Sequence, residues 1–406
     1  MTKENKYRLS GLLAGVILLA GIIQLPSCST SSGKGSEITG SIVHSSANKP
    51  IDDRQAKIAK SINATYKSRL LDSIYQVKAN RKGFNGNVLI AQQGVVVYQK
   101  CFGYANLENK EALKPDTKFQ IASMSKTFTA VAILKLMEEG KLKLTDLVSD
   151  YFPELPFKKI TIEMLLSHRS GLANYVNVYN DKVIRGNLYP TQDEIFKWFK
   201  TFDRRFIGKP GRYFEYSNTN YVLLAGIVEK VSGIPFSTFL HKNIFEPLQM
   251  NNTWLANEKD PAAFINRTTS YNGFWKREET DYFDGVVGDK GIYSTVLDLY
   301  KWYDGLINNR ILKSETLQSA WTPRSKEKRG MRNYGYGFRM ICFNDSDKVV
   351  YHNGWWNSYN SLFYINPMQK FVIIVLGNKY NNDIYDVGSA FQVMSQGSNN
   401  TKDYME

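Results

Sequence analysis

The sequence contains few of the residues that build metal sites and disulfide frameworks. It has three cysteines and four histidines in 406 residues. Three cysteines do not make a disulfide framework, and no spacing of cysteine to histidine resembles a zinc site. The histidines are His44, His168, His241 and His352. Because they are not closely spaced, they do not suggest a metal cluster, and we expect neither a metal nor a cofactor.

Dense runs of basic residues are also absent, although the chain has a formal net charge of +14. A basic balance can indicate nucleic acid or an anionic membrane as a partner. Here the lysines and arginines are scattered and no nucleic-acid-binding motif occurs, so we expect no nucleic-acid partner. The composition, 43% hydrophobic, 22% charged and 13% aromatic, is that of a folded globular protein. The length suits one large domain or two modest ones.

The N-terminus has the layout of a secretory signal. Lys3, Lys6 and Arg8 precede the apolar run LLAGVILLAGII. The run ends in LPSC, which resembles a bacterial lipoprotein signal whose Cys28 becomes the lipidated first residue of the mature chain. Pro26 departs from that pattern. An uncleaved N-terminal anchor or plain secretion are the alternatives. All three interpretations place the protein in the cell envelope or beyond it, and the first makes it lipid-anchored, periplasmic or surface-exposed.

The chain divides by composition into a signal, a linker, a folded body and a tail. Residues 1–28 form the expected lipoprotein signal peptide, and residues 29–50, rich in Ser, Gly and Thr, predict a flexible linker. Residues 51–396 are expected to form the folded domain, with a helical lobe at about 145–280, and residues 397–406 a C-terminal tail. A catalytic role for the histidine of the linker is therefore not expected.

The first part of the body predicts helix, hairpin and helix. From residue 52 to 81, apolar residues recur at helical spacing and predict one amphipathic helix. In GNVLIAQQGVVVYQKCFGY, two β-rich runs flank Gln-Gln-Gly, which indicates a hairpin. SKTFTAVAILKLMEEGKL then predicts a buried helix that ends at Gly140.

The rest of the body predicts helices followed by strands. Residues 145–280 are mostly helical in pattern, and VLDLYKWYDGLI predicts one further helix. Four β-rich runs then indicate an antiparallel meander: YGYGFRMICF, KVVYHNG, YNSLFYIN and KFVIIVLGN. DIYDVGSAFQVM predicts a closing helix. The early hairpin and late meander are expected to share one antiparallel sheet flanked by helices, an α+β fold with a helical lobe beside it. The cleft between sheet and lobe is the expected place for a site.

A first candidate motif is Ser123 with Lys126. They are about one helical turn apart, so both side chains lie on one face. Ser123 is at the helix start, where backbone N–H groups favour developing negative charge. A serine hydroxyl needs a base to act as a nucleophile, and a desolvated lysine can serve. At about 100° per residue, Ser125 points away from Ser123, so Ser123 is the partner of Lys126. Alone, Ser-x-x-Lys occurs by chance.

Two further motifs supply polar groups. Tyr216-Ser217-Asn218 offers a phenol that can act as base and acid, and an amide that can bridge a lysine and a substrate. An ordinary loop tyrosine and a helix-capping asparagine are the alternative. His352-Asn353-Gly354 lies on a late strand, where glycine permits close approach of a ligand. The alternative is a strand that ends in an Asn-Gly turn.

Together, in this order and spacing, the three motifs resemble those of the serine β-lactamase and penicillin-binding protein superfamily. More narrowly, the chain is similar to the branch with class C β-lactamases, D-aminopeptidases and related esterases. The resemblance covers roughly residues 80–380 and extends to GYANLENK, LLSHRSGL, GIYSTVLDLYKW and YGYGF. It implies the β-lactamase/transpeptidase-like fold, with the serine–lysine helix at the cleft.

The resemblance also implies catalytic roles. Ser123 would be the acylated nucleophile and Lys126 its basic partner. Tyr216 would be general base and then acid, and Asn218 would position the substrate. The backbone N–H groups of Ser123 and Trp355 would form the oxyanion hole.

The chain departs from the family pattern in its third motif. Many members have Lys-Thr-Gly where this chain has His352-Asn353-Gly354, and that lysine attracts the carboxylate of β-lactams and D-Ala-terminated peptides. Histidine, with a reference pKa of about 6.5, is largely neutral at pH 7. The His-x-Gly form is usual among esterase and peptidase-like relatives, so we expect weak β-lactam turnover. Lys290 stands where relatives often have glycine, and could restore the lost charge.

Other residues of note have structural alternatives. The side chains of Trp355 and Trp356 could form an aromatic wall for an acyl or sugar-like group, or serve packing alone. His168 is expected to hold a loop by hydrogen bonds rather than to act in catalysis. Cys101 and Cys342 fall on strands that the resemblance separates in the sheet, so we expect buried free thiols rather than a disulfide.

The leading hypothesis is a cell-envelope serine hydrolase that forms an acyl-enzyme on Ser123 and cleaves an ester or amide, as an esterase or D-amino-acid peptidase does. The expected partners are a small ester, peptide or cell-wall-derived substrate, and the membrane through the lipid anchor. A penicillin-binding D,D-carboxypeptidase or β-lactamase is the first alternative. A non-catalytic binding lipoprotein on the same scaffold is the second.

Overall fold

The structure is a computed structural model that describes residues 53–178, 192–201, 207–257, 260–279, 282–326, 331–344 and 347–396. The predicted signal peptide with Cys28, the linker and the C-terminal tail lie outside these residues. Within them, no single helix is long and apolar enough to cross a membrane; one bent pair, Asn218–Ser232 with Phe236–Phe245, passes on length and composition alone.

The described residues form helices that lie on both faces of a large β-sheet. In chain order the helices are α1 (Asp53–Ser61), α2 (Ala64–Lys82), α3 (Ser125–Glu138), α4 (Val148–Tyr151), α5 (Ile162–Leu166), α6 (Tyr175–Val178), α7 (Gln192–Thr201), α8 (Asn218–Ser232), α9 (Phe236–Leu240), α10 (Val296–Ile307), α11 (Ser314–Ala320) and α12 (Gly388–Ser395). The strands are β1 (Gly86–Gln92), β2 (Val95–Phe102), β3 (Tyr104–Asn106), β4 (Glu111–Ala112), β5 (Phe119–Gln120), β6 (Trp254–Leu255), β7 (Ile292–Ser294), β8 (Ser325–Lys326), β9 (Arg332–Tyr334), β10 (Arg339–Cys342), β11 (Lys348–Trp356), β12 (Tyr359–Asn366) and β13 (Phe371–Gly377).

The main sheet has eight antiparallel strands in the order β2-β1-β13-β12-β11-β10-β9-β8. The predicted pairing of the early hairpin with the late meander is therefore confirmed, and it is made by β1 against β13. The central strands β12 and β13 are buried along their whole length. The near-continuous apolar sequence of β13, FVIIVLG, matches this burial on both faces, because strands with only one covered face alternate apolar and polar residues.

Each face of the sheet has its own core. On one face the strands pack against a large cluster that includes α3, α8 and α10. On the other they pack against α2 and α12, with Leu71, Tyr75 and Phe391 among the buried residues. The candidate active site belongs to the first face. The N-terminal and C-terminal helices of the described chain cover the second.

Helix α3 is the element that carries the serine–lysine motif. Eleven of its 14 residues are buried, so it is apolar on nearly every side, as a central core helix should be. It packs against α8, and the ring of Phe128 stacks on Trp302 of α10 with ring centres 4.2 Å apart. This packing fixes the position of its first turn relative to the sheet.

Three expectations about local structure were wrong or incomplete. Residues 53–82 form two helices rather than one, because Asn63 takes a left-handed φ of +57°, which asparagine tolerates. Residues 246–279, where described, are mostly turns with the short strand β6, and their asparagines and Gly273 favour turns. The third motif does not end its strand: β11 continues to Trp356, and Asn357 and Ser358, both with positive φ, make the turn.

The two thiols are free and separated. Cys101 lies on β2 and Cys342 on β10, with four strands between them in the sheet. Both are partly buried rather than fully buried as expected. Burial raises the pKa of the Cys101 thiol to about 12, with a contribution from Asp116, which disfavours its reactive thiolate form at neutral pH.

Candidate active site

Ser123 lies in a single 3-10 turn, Ala122–Met124, that leads directly into α3. Its side chain is partly buried. The preceding residue, Ala122, has φ of +48°, in the left-handed region that non-glycine residues seldom adopt. Such strained positions persist only where the surrounding structure enforces them, and they cluster at functional sites. The turn therefore presents Ser123 on a backbone that its neighbours hold in place.

Lys126 contacts Ser123 as the sequence predicts. Its Nζ lies 3.0 Å from Ser123 Oγ and donates a second hydrogen bond, 2.7 Å long, to the backbone oxygen of Asp289. The side chain is fully buried, and no carboxylate of the described residues lies within 4 Å of it. The neighbouring Ser125 points elsewhere, because its Oγ accepts the N–H of Ile292. The predicted choice of Ser123 over Ser125 agrees with this geometry.

Tyr216 and Asn218 stand beside this pair, on the segment that enters α8. Lys126 Nζ lies 5.1 Å from the centre of the Tyr216 ring and 5.6 Å from that of Tyr221, so aromatic faces surround the amine. Asn218 is the first residue of α8, with Ser217 as its N-cap. The Oδ1 atom of Asn218 is buried and accepts no hydrogen bond from the described residues. The expected bridge between Asn218 and Lys126 is thus not formed.

His168 holds the Tyr216 segment in place. Its Nδ1 lies 3.3 Å from the backbone N of Ser217 and 3.0 Å from Asn220 Nδ2, and its backbone oxygen accepts the N–H of Glu215. The ring centres of His168 and Tyr216 are 4.4 Å apart. Burial, followed by the charge of Lys126, holds the pKa of His168 well below its usual value. A neutral ring that accepts one backbone N–H and one side-chain amide N–H fits the predicted structural role.

The third motif lies on β11, which runs past the serine turn. Gly354 is needed for this approach: a Cβ there would be 2.3 Å from the oxygen of Ile121 and 3.0 Å from Ala122 Cβ. Trp355 follows with its side chain 58% exposed, and packs edge-on against Tyr380. Trp356 instead turns inward. The two tryptophans therefore point to opposite faces and do not form one wall together.

His352 is buried rather than presented to solvent. Its Nε2 lies 3.2 Å from the Tyr334 hydroxyl, and its Nδ1 lies 2.7 Å from the oxygen of Asn353. Burial, and then the charges of Arg339 and Lys126, hold the pKa of His352 well below its usual value. The neutral imidazole expected at this position follows from these contacts, and it does not supply the positive charge of the family lysine.

Arg339 brings a positive charge that sequence inspection missed. It lies on β10, with its guanidinium carbon 5.1 Å from the centre of the Tyr216 ring and 5.8 Å from that of Tyr334. It is only partly buried. The feature that marks Arg339 is its position on the strand next to β11, where it pairs with Tyr351. This position could be recognised only once the strand pairing was known.

Lys290 does not act as a free charge. Only 2% of its surface is exposed, and its Nζ lies 3.2 Å from Asp289 Oδ2 and 2.5 Å from the Tyr175 hydroxyl. The suggestion that it replaces the family lysine toward a substrate is therefore wrong, because a side chain so buried does not reach the cleft. Asp289 and Tyr175 were not singled out from the sequence, and both belong to this cluster.

The structure thus gathers Ser123, Lys126 and Tyr216 at one point, with Gly354 against the serine turn. The fully buried lysine, the serine beside it and the antiparallel sheet covered by helices are those of the β-lactamase/transpeptidase fold. The chain belongs to the β-lactamase family, whose model matches residues 72–393. The predicted superfamily and fold class are confirmed. The narrower class C-like branch stays a prediction, as do the roles of the individual site residues.

Several proteins of this family are similar to the chain over most of its length. Penicillin-binding protein 4* of Bacillus subtilis is 29% identical over 333 residues, 79% of this chain and 74% of that protein. The structure of an octameric penicillin-binding protein homologue from Pyrococcus abyssi has a TM-score of 0.69 at 30% identity, covering 80% of this chain and 76% of that chain. A D-amino acid amidase from Ochrobactrum anthropi shares the fold, with a TM-score of 0.67 at 23% identity over 82% of this chain and 99% of that chain.

The two buried histidines predict a loss of stability on acidification. Because the pKa values of His168 and His352 are lowered in the folded protein, the unfolded chain binds protons that the folded one does not. This contribution is complete above about pH 6.5 and is lost as the pH falls, by about 1.4 kcal/mol per pH unit for each histidine. Urea unfolding between pH 7.5 and 5 measures the slope.

The variant His352→Gln should remove about half of that slope, whatever its effect on stability at pH 7.5. His241→Gln is the control, because His241 is only partly buried and lies outside this site. Identical slopes in the wild type and His352→Gln would contradict the prediction.

Proposed function

We propose that the protein is a cell-envelope serine hydrolase that forms an acyl-enzyme on Ser123 and hydrolyses an ester or amide. The observation that carries the proposal is the 3.0 Å contact between Lys126 Nζ and Ser123 Oγ, in a site where the lysine is fully buried. A lysine buried beside a serine hydroxyl is placed to accept the proton of that hydroxyl. Among the described residues, Ser123 Oγ makes no hydrogen bond other than the one with Lys126. This lack of a competing structural role supports the same assignment.

The chemistry follows from the placement of these groups. Ser123 Oγ attacks the substrate carbonyl while its proton passes to Lys126 or Tyr216. The tetrahedral oxyanion is stabilised by the backbone N–H groups of Ser123 and Trp355, each worth about 3 kcal/mol. The proton then goes to the leaving oxygen or nitrogen, whose bond to the carbonyl carbon breaks. A water molecule repeats the sequence on the acyl-enzyme and restores the serine.

The third motif argues for an ester or a D-amino-acid amide rather than a β-lactam. The neutral His352 gives no charge for a β-lactam carboxylate, so slow β-lactam turnover is expected. The D-amino acid amidase that shares the fold supports an amide substrate of D configuration.

Arg339 favours the alternative of a penicillin-binding D,D-carboxypeptidase. Its guanidinium, beside Tyr216 and partly exposed, can bind a C-terminal carboxylate by charge-assisted hydrogen bonds. The two similar penicillin-binding proteins support the same alternative. A non-catalytic binding lipoprotein remains the third hypothesis, and it predicts no acylation at all.

Acylation of Ser123 is the decisive test of the proposal. The full-length protein, in detergent, is incubated with p-nitrophenyl acetate and separately with benzylpenicillin, and the intact mass is recorded over time. We expect acetylation and turnover in the wild type and neither in Ser123→Ala, because that variant lacks the attacking oxygen. Ser125→Ala is the matched control and should keep acylation.

A stable penicilloyl adduct would move the protein to the carboxypeptidase alternative. Equal acetylation of Ser123→Ala and wild type would contradict the proposed nucleophile. Lack of any adduct with either reagent would leave the binding lipoprotein as the better hypothesis.

The carboxylate-binding role of Arg339 is tested with paired peptides. With Arg339→Gln, kcat/KM should fall at least about tenfold for a D-Ala-D-Ala peptide, as expected for loss of one charge-assisted hydrogen bond. The C-terminal amide of the same peptide should be unaffected. Arg332→Gln, an exposed arginine on the neighbouring strand β9, is the control. An equal loss for both peptides would contradict carboxylate recognition.

The envelope location is proposed from the LPSC segment alone. Cells that express the wild type should retain the protein in the membrane fraction and label it with a radioactive fatty acid. Cys28→Ala should lose the label, because the thiol that accepts the lipid is gone. Unchanged labelling of Cys28→Ala would contradict lipidation at this residue.

A further inference from the structure

Lys290 is a buried lysine for which the proposed chemistry has no direct use. Its Nζ is surrounded by the Tyr175 hydroxyl at 2.5 Å, Asp289 Oδ2 at 3.2 Å and the face of the Trp356 ring at 4.5 Å from the ring centre. Burying a lysine is unfavourable unless its ammonium is compensated. Lys290 is nevertheless only 2% exposed and lies beside the candidate active site, so its burial must be compensated by its neighbours.

Asp289 connects Lys290 to the catalytic lysine. Its backbone oxygen accepts the 2.7 Å hydrogen bond from Lys126. Its carboxylate, fully buried, accepts hydrogen bonds from Lys290 and, at 3.1 Å, from the Tyr175 hydroxyl. Rotation of the Asp289 peptide would therefore break contacts on both sides of the residue. Lys290 and Tyr175 hold the side chain, and in this way they hold the carbonyl that orients Lys126.

The same segment is attached to α3 at two further points. The carbonyl oxygen of Gly288 accepts a hydrogen bond from Thr129 Oγ1 at 2.7 Å, and Ser125 Oγ accepts the N–H of Ile292. Gly288 has φ of +99°, and a Cβ there would be 2.4 Å from the oxygen of Tyr221 on α8. The position of Asp289 is therefore fixed relative to both helices that line the site.

Lys290 also contacts the strand expected to supply the oxyanion N–H. The Trp356 ring under its ammonium belongs to the residue after Trp355, and the Trp356 indole N–H donates to Asp284 of the Lys290 segment. Asn357 donates to the same carboxylate at 3.1 Å. One segment thus contacts the catalytic lysine at one end and the end of β11 at the other.

We propose that Lys290 is a positioning residue: through Asp289 it holds Lys126 on Ser123. This inference rests on the proposed function of Ser123 and Lys126. It adds a residue that does not touch the substrate but that, through Asp289, keeps Lys126 in place for the proton transfer from the serine.

The electrostatic surroundings of Lys290 support this role. Burial is the main cause that lowers the pKa of Lys290, and the charge of Lys126 lowers it further, whereas Asp289 and Asp284 raise it. Tyr175, from α6, faces the same ammonium. The buried ammonium of Lys290 is therefore compensated by Asp289, the residue through which it acts on Lys126.

The test compares Lys290→Met with Lys67→Met, each of which replaces a buried lysine by an uncharged side chain of similar length. Lys67 has 4% exposure and bonds Gln92 and Met394 on the opposite face of the sheet. Reaction of Ser123 is followed with two probes on the full chain: a fluorophosphonate, which reports an activated serine, and p-nitrophenyl acetate, which reports turnover. Thermal unfolding is recorded for each variant.

We expect Lys290→Met to lose about 10- to 100-fold in the rate of both reactions, as for a small misplacement of a catalytic group, with little change in KM. Lys67→Met should keep the rate within about twofold. Tyr175→Phe keeps Lys290 and removes one hydroxyl, so it should show a smaller loss, again in kcat, and it also serves if Lys290→Met does not fold.

Rates that are the same in Lys290→Met and Lys67→Met would overturn the inference, as would a loss in Lys290→Met that appears in KM while kcat is unchanged. These outcomes differ from failure of the proposed function, which appears in the wild type. A wild type that reacts with neither probe overturns the proposed function and the role of Lys290 with it. A wild type that reacts only with the fluorophosphonate excludes this ester as a substrate, and the phosphonylation rates still decide the role of Lys290.

Discussion

The site depends on one hydrogen-bonded lysine. The Lys126 amine is fully buried between Ser123 Oγ and the oxygen of Asp289, with aromatic rings on its remaining sides. Nothing else in the described site brings a proton acceptor so close to the serine hydroxyl. The helix that carries the lysine is buried on nearly all sides, the serine turn is packed against β11, and the Asp289 segment closes the far side. Each of these contacts helps to keep Lys126 Nζ and Ser123 Oγ at hydrogen-bonding distance.

Local patterns in the sequence were enough for the regular elements and for the pairing of serine with lysine. The strands β12 and β13 and helix α10 agree with the predicted runs because their apolar periodicity is strong and turn residues bound them. The choice of Ser123 rests on helical geometry over three residues, which is local. Asn63 and the turn at Asn357 and Ser358 were missed because a left-handed backbone at residues other than glycine leaves a weak sequence signal.

The parts that sequence reasoning could not reach are contacts between distant segments. Arg339 lies beside Tyr216 although the two residues are more than one hundred residues apart in the chain. The burial of Lys290 depends on its contacts with Tyr175 and Trp356. These three residues come from three separate segments of the chain. A lysine in a glycine-rich position looks the same in sequence whether it faces solvent or the core. Its function therefore became open to argument only after its neighbours were known.

The arrangement of the two sheet faces has a practical consequence. Helices α2 and α12 lie together on the face away from Ser123, and Lys67 joins them by its bond to the oxygen of Met394. Ile58 and Ala59 of α1 pack against the same cluster, so the first two and the last of the described helices lie on that face. A bead or fusion partner attached directly before α1 or after α12 would approach from that side, and the approach to the serine would stay open to a large or polymeric substrate.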